Sequence, residues 1–492
     1  MPARTGGEYL AGLRDQRREV WLDGERVADV TAHPGTRRGA ASVALLYDMQ
    51  HDPKLRDEMT YPSPSSGDRV GLSFITPSSI EELERRRRMM AAWAGFSGGM
   101  LGRSPDYLNV SLMAQAAASD YFARNRPEFA ENVRRYYEHV RENDLALTHT
   151  LVNMRRSRSP ATTVGVEEEV GLHVVEEAAS GVVVRGARVL ATLGPISDEI
   201  VVAPSTVVRA DKDAHRLAVS FAIPCGTRGL RFVCRESFDL GRSTFDHPLG
   251  SRFEEMDAIV IFDDVLVPWE RVFLLGDVEL CNNAFAATNA VVHMMHQVVT
   301  KNVAKSEFVV GLASMMVDSL GSGQMPQVRE RVAELIMDLE VMRACLRASE
   351  ADAALDEWDV MCPNRPPLDV ARNLFPRMYP RMIEILQLLG SSSLMAIPTE
   401  ADFDSDVAAD LDHYLAAGDA TGRDRVRLFR LAWDVACSAF GSRQVLYERF
   451  FFGDPSRMAS ALYDTYDKEP LMARVRELLD RVSLGDDLGR DS

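Results

Sequence analysis

An arginine and a tyrosine lie four residues apart in the stretch Gly102-Arg-Ser-Pro-Asp-Tyr-Leu-Asn109, directly after a glycine-rich segment. Proline is favoured in the first turn of a helix, and residues four apart on a helix are neighbours. If a helix begins near Pro105, the guanidinium of Arg103 and the phenol of Tyr107 lie side by side. Such a pair could bind an anion.

A single histidine, His149, lies in Thr148-His-Thr150, where the sequence pattern changes from helical to extended. An imidazole with an ordinary pKa of about 6.5 can accept a proton at neutral pH, so His149 is a candidate general base. A buried structural histidine is an equally good interpretation of this position alone.

Two further groups of residues could do chemistry. His293 and His296 are three residues apart on a predicted helix, and without a carboxylate at matching spacing they favour packing among methionines over a metal site. The second of these groups follows Asn153 and consists of Arg155, Arg156 and Arg158. Guanidinium groups pair with phosphate oxygens, so this cluster could bind phosphate or be an exposed basic loop.

Familiar nucleotide-binding patterns are missing from the sequence. The glycines between Gly95 and Gly102 do not follow a strand in a βαβ unit, and no Gly-Lys-Ser/Thr loop is present. If this protein performs redox chemistry, it is therefore not expected to bind a nicotinamide cofactor of its own.

Composition narrows the range of partners. The chain has 492 residues and a net charge of −17, from 73 acidic and 56 basic residues, which disfavours nucleic acid and anionic membranes. Six scattered cysteines do not indicate a disulfide framework or a zinc site. The N-terminus lacks the pattern of a secretory signal, and no apolar run reaches the ~18 residues of a membrane span. We expect a soluble cytoplasmic protein with a small-molecule partner.

The periodicity changes twice along the chain and predicts three domains. Residues 1–145 show mostly helical spacing, residues 146–274 contain short β-branched segments between turn signals, and residues 275–492 return to long helical periods. The predicted fold class is α+β, mainly α, with a helical N-terminal domain, a central β-barrel or sandwich and a C-terminal helical bundle. The predicted bundle helices are 284–319, 325–354, 367–390, 423–449 and 468–483.

Six segments give the sequence a resemblance to a known family. It resembles the oxygenase components of the 4-hydroxyphenylacetate 3-monooxygenases, which are two-component, reduced-flavin-dependent aromatic hydroxylases. The similarity extends over nearly the whole chain and is carried by these segments: Arg4-Thr-Gly-Gly-Glu-Tyr-Leu, Val30-Thr-Ala-His-Pro, Gly102-Arg-Ser-Pro-Asp-Tyr-Leu-Asn, Phe245-Asp-His-Pro-Leu-Gly-Ser-Arg-Phe, Phe262-Asp-Asp-Val-Leu-Val-Pro-Trp-Glu-Arg-Val and Phe440-Gly-Ser-Arg-Gln-Val-Leu-Tyr-Glu-Arg-Phe.

The resemblance implies the fold of the acyl-CoA dehydrogenases, assembled as a homotetramer. It also implies two separate proteins. An NAD(P)H:flavin reductase supplies reduced FAD, and in the oxygenase this reduced FAD reacts with dioxygen to form a C4a-hydroperoxide. The implied reaction is ortho-hydroxylation of a para-substituted phenol, first of all 4-hydroxyphenylacetate to 3,4-dihydroxyphenylacetate. A nitrophenol, a chlorophenol, tyrosine or a carrier-bound aromatic acid are alternative substrates.

Site residues follow from the same resemblance. Arg103, Tyr107 and His149 match positions that contact the phenolic end of the substrate, and Ser205 and Thr206 match positions that hold its carboxylate. The positions matched to FAD are Arg158, Thr192, Asp454, Pro455, Ser456 and Arg457. The loop at 154–160 is shorter than in relatives, which leaves the alignment of Arg158 open.

Three alternatives accompany these assignments. In some halophenol enzymes a histidine on the first bundle helix is the base, which makes His293 or His296 a rival of His149. A 4-hydroxybutyryl-CoA dehydratase would need cysteines in the N-terminal helical domain, and this chain has none before Cys225. A non-enzymatic helical scaffold is the third alternative.

Overall fold

The computed structural model describes residues 3–154, 170–204 and 214–488, with side chains described up to residue 481. The basic cluster at 155–158 and the predicted carboxylate-binding residues Ser205 and Thr206 lie outside the described residues, so their assignments stay predictions.

The N-terminal part is mainly helical, as predicted. Helix formation follows local signals: the Ser79 side chain accepts a hydrogen bond from the Glu82 backbone, and Pro127 opens the first turn of another helix. The Glu82 carboxylate in turn accepts a hydrogen bond from the Ser78 backbone. The helix expected near Pro105 begins at Asp106, which puts Tyr107 in its first turn and Arg103 in the loop before it.

The β part consists of two sheets. One has seven strands and the other four, and the sheets pack their inner faces together. Several predicted short strands merge into longer ones, because a register shift lets Gly181–Thr192 and Asp257–Pro268 stay paired where the sequence pattern breaks. The strand Val219–Pro224 follows a short helical turn at Ala214–Leu217.

Long helices return after the β part. The predicted helix 284–319 divides at Asn289, which has a left-handed backbone (φ 52°), and the predicted helix 423–449 divides before Ser438, whose side chain caps the second piece. None of the described helices combines the length and apolar character that crossing a membrane requires.

The bounds of the helices and strands are as follows. The helices are α1 Gly6–Asp15, α2 Arg37–Met49, α3 Arg56–Met59, α4 Ile80–Phe96, α5 Asp106–Ala117, α6 Ser119–Ala123, α7 Pro127–Asn143, α8 Ala214–Leu217, α9 Val278–Ala287, α10 Ala290–Ser319, α11 Pro326–Ala351, α12 Arg365–Gly390, α13 Ser392–Met395, α14 Ala408–Leu415, α15 Gly422–Ala436, α16 Ala439–Phe450, α17 Pro455–Thr465 and α18 Glu469–Leu488. The strands are β1 Glu19–Leu22, β2 Glu25–Val27, β3 Thr60–Pro62, β4 Arg69–Gly71, β5 Leu147–Thr150, β6 Val152–Asn153, β7 His173–Ala178, β8 Gly181–Thr192, β9 Glu199–Val202, β10 Val219–Pro224, β11 Leu230–Cys234, β12 Asp257–Pro268, β13 Val272–Leu275, β14 Ala354–Leu355 and β15 Met361–Cys362.

The elements around the candidate site come from all three parts of the chain. The larger sheet runs β2-β1-β11-β12-β8-β6, with β7 also paired to β8, and the smaller runs β13-β10-β9-β5. Helix α10 packs against α4 and α5 on one side and α11 and α12 on the other. The mainly helical α+β fold class is therefore confirmed, while the domain boundaries at 145 and 274 stay predictions.

Candidate active site

The Arg103 guanidinium lies in an aromatic enclosure. Its central carbon is 3.9 Å from the centre of the Phe451 ring, 4.1 Å from that of Tyr107 and 5.8 Å from that of Tyr447. Its Nε and Nη1 atoms are buried and have no hydrogen-bond partner among the described residues, where no carboxylate forms an ion pair with it. This cation has free donors that an anionic ligand could take.

The backbone before α5 is held tightly. The Arg103 amide donates to Glu255 Oε1 at 2.7 Å, which anchors the loop to the start of β12. Gly102 lies against Tyr447, and a Cβ built on it would come within 2.3 Å of the tyrosine oxygen. A glycine is therefore required at 102 for the ring of Tyr447 to lie beside Arg103.

His149 lies on β5, and its ring centre is 5.6 Å from that of Tyr107. Burial, and then the positive charge of Arg103, holds the pKa of the His149 imidazole well below its usual value of 6.5. The ring is thus neutral at neutral pH and able to accept a proton. Burial also raises the pKa of the Tyr107 phenol, which keeps its proton available for donation.

The wall behind Arg103 contains paired charges. Arg443, on α16, donates to Glu255 and to both oxygens of Asp257 at 2.8–2.9 Å. Thr192 ends β8 directly opposite Asp257 at the start of β12, and its hydroxyl donates to the Asp257 carboxylate at 2.7 Å. Burial alone raises the pKa of Asp257, but the charges of Arg443 and Arg235 and the hydrogen bonds from Arg443 and Thr192 together outweigh it, so the pKa lies well below its usual range.

A second buried charge cluster supports the far side of the enclosure. Lys301 donates to Glu448 at 2.6 Å, and Lys305 pairs with the same carboxylate oxygen. The Lys301 ammonium also lies 5.6 Å from the ring centres of Tyr447 and Phe451. This cluster fixes α16 against α10 and thereby fixes the rings that face Arg103.

A cavity of about 290 Å³ opens beside Phe451 and Phe452. Asn302, Arg372 and Pro455 line it. The buried Asn302 Oδ1 and Arg372 Nε atoms have no hydrogen-bond partner among the described residues. The cavity therefore has aromatic walls and lies next to an unused acceptor and an unused donor.

The predicted FAD-binding segment Asp454–Arg457 forms the start of α17. Asp454 caps that helix by accepting hydrogen bonds from the backbones of Ser456 and Arg457, and all three are exposed. The structure thus gives Asp454 a structural task at the edge of the cavity. The role of this segment and of Thr192 toward FAD stays a prediction.

The two histidines on α10 are paired with charged residues. Arg86 Nη2 lies 2.9 Å from His293 Nδ1, and His296 Nε2 lies 2.8 Å from Glu350. The prediction that His293 and His296 pack among methionines therefore omitted their charged partners, Arg86 and Glu350. Asp356 and Cys362 also approach His293, but burial raises the pKa of the Cys362 thiol to about 12, which disfavours the thiolate that binds metals.

Five residues of this site were not singled out as site residues from the sequence: Glu255, Asp257, Arg443, Tyr447 and Phe451. Arg443, Tyr447 and Phe451 follow one another at intervals of four, which places them on one side of α16 and its extension. That spacing was visible in the sequence. Its relation to Arg103 was not, because the two segments are far apart in the chain.

The fold and the site together define a class of protein. The chain shares its fold with an archaeal 4-hydroxybutyryl-CoA dehydratase from N. maritimus, at 18% identity and a TM-score of 0.85 over 96% of this chain and 95% of the other. The family model "4-hydroxyphenylacetate 3-hydroxylase N terminal" matches residues 5–274, and "4-hydroxyphenylacetate 3-hydroxylase C terminal" matches residues 281–480. The chain belongs to the 4-hydroxyphenylacetate 3-hydroxylase family of flavin-dependent aromatic monooxygenases, which confirms the resemblance.

Individual relatives match over nearly their whole length. The chain is 49% identical to the 4-hydroxyphenylacetate 3-monooxygenase oxygenase component of Geobacillus sp. (strain PA-9) over 97% of both chains, and 48% identical to that of Thermus thermophilus, again over 97% of both. A crystal structure of such an oxygenase component, complexed with FAD and 4-hydroxyphenylacetate, superposes with a TM-score of 0.92 at 48% identity, covering 97% of this chain and 99% of the other.

Proposed function

We propose that the protein is the oxygenase component of a two-component system and hydroxylates a para-substituted phenol ortho to its hydroxyl group, using reduced FAD and dioxygen. The leading substrate is 4-hydroxyphenylacetate, with 3,4-dihydroxyphenylacetate as product. The observation that carries the proposal is the buried, unpaired guanidinium of Arg103 beside a neutral imidazole at His149.

The protein groups have complementary tasks in this reaction. A phenol becomes a stronger carbon nucleophile at its ortho position when its hydroxyl proton is lost. His149 is the proposed acceptor of that proton, and Arg103 stabilises the phenolate through its free Nε and Nη1 donors. Tyr107, whose phenol keeps its proton, donates a further hydrogen bond in the site.

The reduced flavin, once bound with dioxygen, supplies the electrophilic oxygen atom. Thr192 and the segment Asp454–Arg457 are the proposed flavin contacts within the described residues. Arg158, outside the described residues, is a further proposed contact. The unpartnered Asn302 Oδ1 and Arg372 Nε beside Pro455 fit the presence of a ligand that has both donors and acceptors. The rings of Tyr447 and Phe451 exclude water from the guanidinium, which favours oxygen transfer over the competing release of hydrogen peroxide.

Two further properties belong to the proposal. A separate NAD(P)H:flavin reductase supplies the reduced flavin, and the oxygenase assembles as a homotetramer. The tail of the substrate is held by Ser205 and Thr206. A relative from Rhodococcus sp., 34% identical, is named a 4-nitrophenol 2-monooxygenase oxygenase component, so a phenol without a carboxylate tail is the second candidate substrate.

A substrate panel tests the proposal. The purified protein is mixed with chemically reduced FAD, oxygen and either 4-hydroxyphenylacetate, 4-nitrophenol, 4-chlorophenol or tyrosine, and catechol formation is measured against oxygen consumed. We expect the highest kcat/KM and near-stoichiometric coupling with 4-hydroxyphenylacetate. Higher values with 4-nitrophenol would identify the second candidate. Absence of a catechol from every phenol, with reduced FAD present, would overturn the proposed reaction.

A further inference from the structure

A continuous set of hydrogen bonds joins the phenol side of the site to its proposed cofactor side. It runs from the Arg103 amide to Glu255, then through Arg443 to Asp257, and ends on the hydroxyl of Thr192. Each bond measures 2.7–2.9 Å. The five residues lie in the loop before α5, at the end of β8, at and just before the start of β12, and on α16. No single element therefore fixes their arrangement.

Arg443 is the central member of this set. Its Nε and Nη2 atoms bond to both oxygens of Asp257, and its Nη1 bonds to Glu255 Oε2. Only 10% of the Arg443 side chain and 1% of the Glu255 side chain are exposed. Because a guanidinium is planar and its donors point in fixed directions, it fixes the spacing of two carboxylates that would otherwise repel each other.

The two carboxylates have separate tasks. Glu255 Oε1 accepts a hydrogen bond from the Arg103 backbone amide, whereas Asp257 accepts a hydrogen bond from the Thr192 hydroxyl. Each nitrogen of the Arg443 guanidinium is therefore bonded to a carboxylate, and each of its two partners holds one side of the site.

We propose that Arg443 is a positioning residue that sets the separation between the phenol-binding Arg103 and the cofactor-side Thr192, and thereby the fraction of oxygen that reaches the phenol. The inference rests on the proposed function. In coupled turnover a phenol, dioxygen and reduced FAD give a catechol, oxidised FAD and water. In uncoupled turnover dioxygen and reduced FAD give hydrogen peroxide and oxidised FAD, and the phenol is unchanged.

Oxygen transfer depends on distance and orientation more steeply than binding does, because reacting atoms must approach to about 3–3.5 Å in an aligned geometry. A small shift between the two sides therefore lowers coupling before it lowers phenol affinity. Arg443→Lys keeps a positive charge, but a single ammonium nitrogen cannot reproduce the planar pair of bonds to Asp257 together with the bond to Glu255. It is the substitution that changes spacing with the least change in charge.

The test measures three quantities in Arg443→Lys: catechol formed per oxygen consumed, hydrogen peroxide formed, and the affinity of the flavin-free protein for the phenol by calorimetry. We expect coupling to fall at least twofold with a matching rise in peroxide, while phenol affinity changes less than threefold. Full coupling in a folded Arg443→Lys protein would overturn the inference. A loss of phenol affinity in proportion to the loss of product would overturn it too.

Arg4→Lys is the matched control. Arg4 is also a buried arginine that forms a two-pronged pair, with Asp198, and it contacts neither Arg103 nor Thr192 in the described structure. We expect a lower Tm with unchanged coupling. Equal loss of coupling in Arg4→Lys would show that general loosening, and not Arg443, sets coupling.

Two single-residue variants test separately the phenol side and the cofactor side of the site. Glu255→Gln should weaken phenol affinity in the flavin-free protein, whereas Asp257→Asn should weaken reduced-FAD binding measured anaerobically and leave phenol affinity unchanged. The reverse pattern would overturn the assignment of sides. Absence of a catechol with the wild-type protein would reject the proposed function instead, so the two failures are distinguishable.

Discussion

Arg103 and Arg443 lie on the same aromatic ring and have opposite surroundings. Arg443 is 4.6 Å from the ring centre of Tyr447 and Arg103 is 5.8 Å from it. Arg443 bonds to two carboxylates, whereas Arg103 has unused donors and no ion pair among the described residues. A paired cation fixes geometry, and an unpaired one is available to a ligand.

The unpaired arginine needs another source of stabilisation. Burying a charge without a partner is costly, but aromatic faces attract a guanidinium by about 0.5–2 kcal/mol each. Three rings surround Arg103, so the cation is tolerated without a carboxylate that would compete with a phenolate. This comparison predicts different results for the same substitution at the two positions.

Arg443→Met should produce the largest effect. Removal of this guanidinium leaves Glu255 and Asp257 buried with less compensation, which typically costs about 3–5 kcal/mol of unfolding free energy. Urea unfolding followed by circular dichroism measures the loss. A loss below about 1 kcal/mol would show that Arg235, which also bonds to Asp257, compensates for it.

Arg103→Met should affect activity and spare stability. Loss of the phenolate-stabilising charge is expected to lower kcat/KM for the phenol about 100-fold or more, comparable to removal of an oxyanion donor. The unfolding free energy should change little, because the removed charge has no carboxylate partner. Steady-state kinetics and urea unfolding on the same preparation compare both quantities. A stability loss as large as that of Arg443→Met would contradict the distinction between the two arginines.

His149 should give the third effect, which depends on pH. Activity requires the neutral ring, and its pKa lies well below 6.5, so the acid limb of kcat/KM should appear only below pH 6.5. In Arg103→Met the limb should move to higher pH but stay below the ordinary value, because burial is the larger cause of the shift. A pH–rate profile between pH 5 and about 8 measures both variants.

The same shift has a consequence for stability. With the folded-state pKa below the unfolded one, the unfolded chain binds more protons between the two values, so stability falls as pH drops below about 6.5. His149→Gln should reduce this slope. An unchanged slope would mean that other groups account for it.

Tyr107→Phe should give the smallest effect. The ring stays against Arg103 and only the hydroxyl is lost, so the expected cost is that of one hydrogen bond, about 0.5–1.5 kcal/mol or a 2- to 13-fold lower kcat/KM. The kinetics of this variant beside those of Arg103→Met measure the difference. A loss as large as in Arg103→Met would assign Tyr107 a greater task than hydrogen-bond donation.

Sequence reasoning succeeded where the cause was local. Pro105 and the spacing to Tyr107 predicted the start of α5, and the change of period located His149 at the transition to strands. Merged strands such as Asp257–Pro268 were missed, because cross-strand pairing overrides the local break between Phe262 and Val265. The helix break at Asn289 was missed for a related reason: one residue with a left-handed backbone has little effect on a long helical period.

The candidate site was predicted in part. Arg103, Tyr107 and His149 lie together, but the distant partners that enclose and anchor them were not foreseen. Arg443 and Phe451 are separated from Arg103 by more than three hundred residues, and no periodicity indicates a contact over such a distance. Only the packing of α16 against the loop before α5 brings them together.

That separation has a consequence for synthesis of the protein. During translation, Arg103 emerges from the ribosome more than three hundred residues before Tyr447 and Phe451, so its guanidinium stays in water until those residues have been made. The enclosure can therefore form only after α16 has left the ribosome. A chain truncated before α16 would contain the arginine, the tyrosine and the histidine, yet it would lack the rings that shield the cation from solvent.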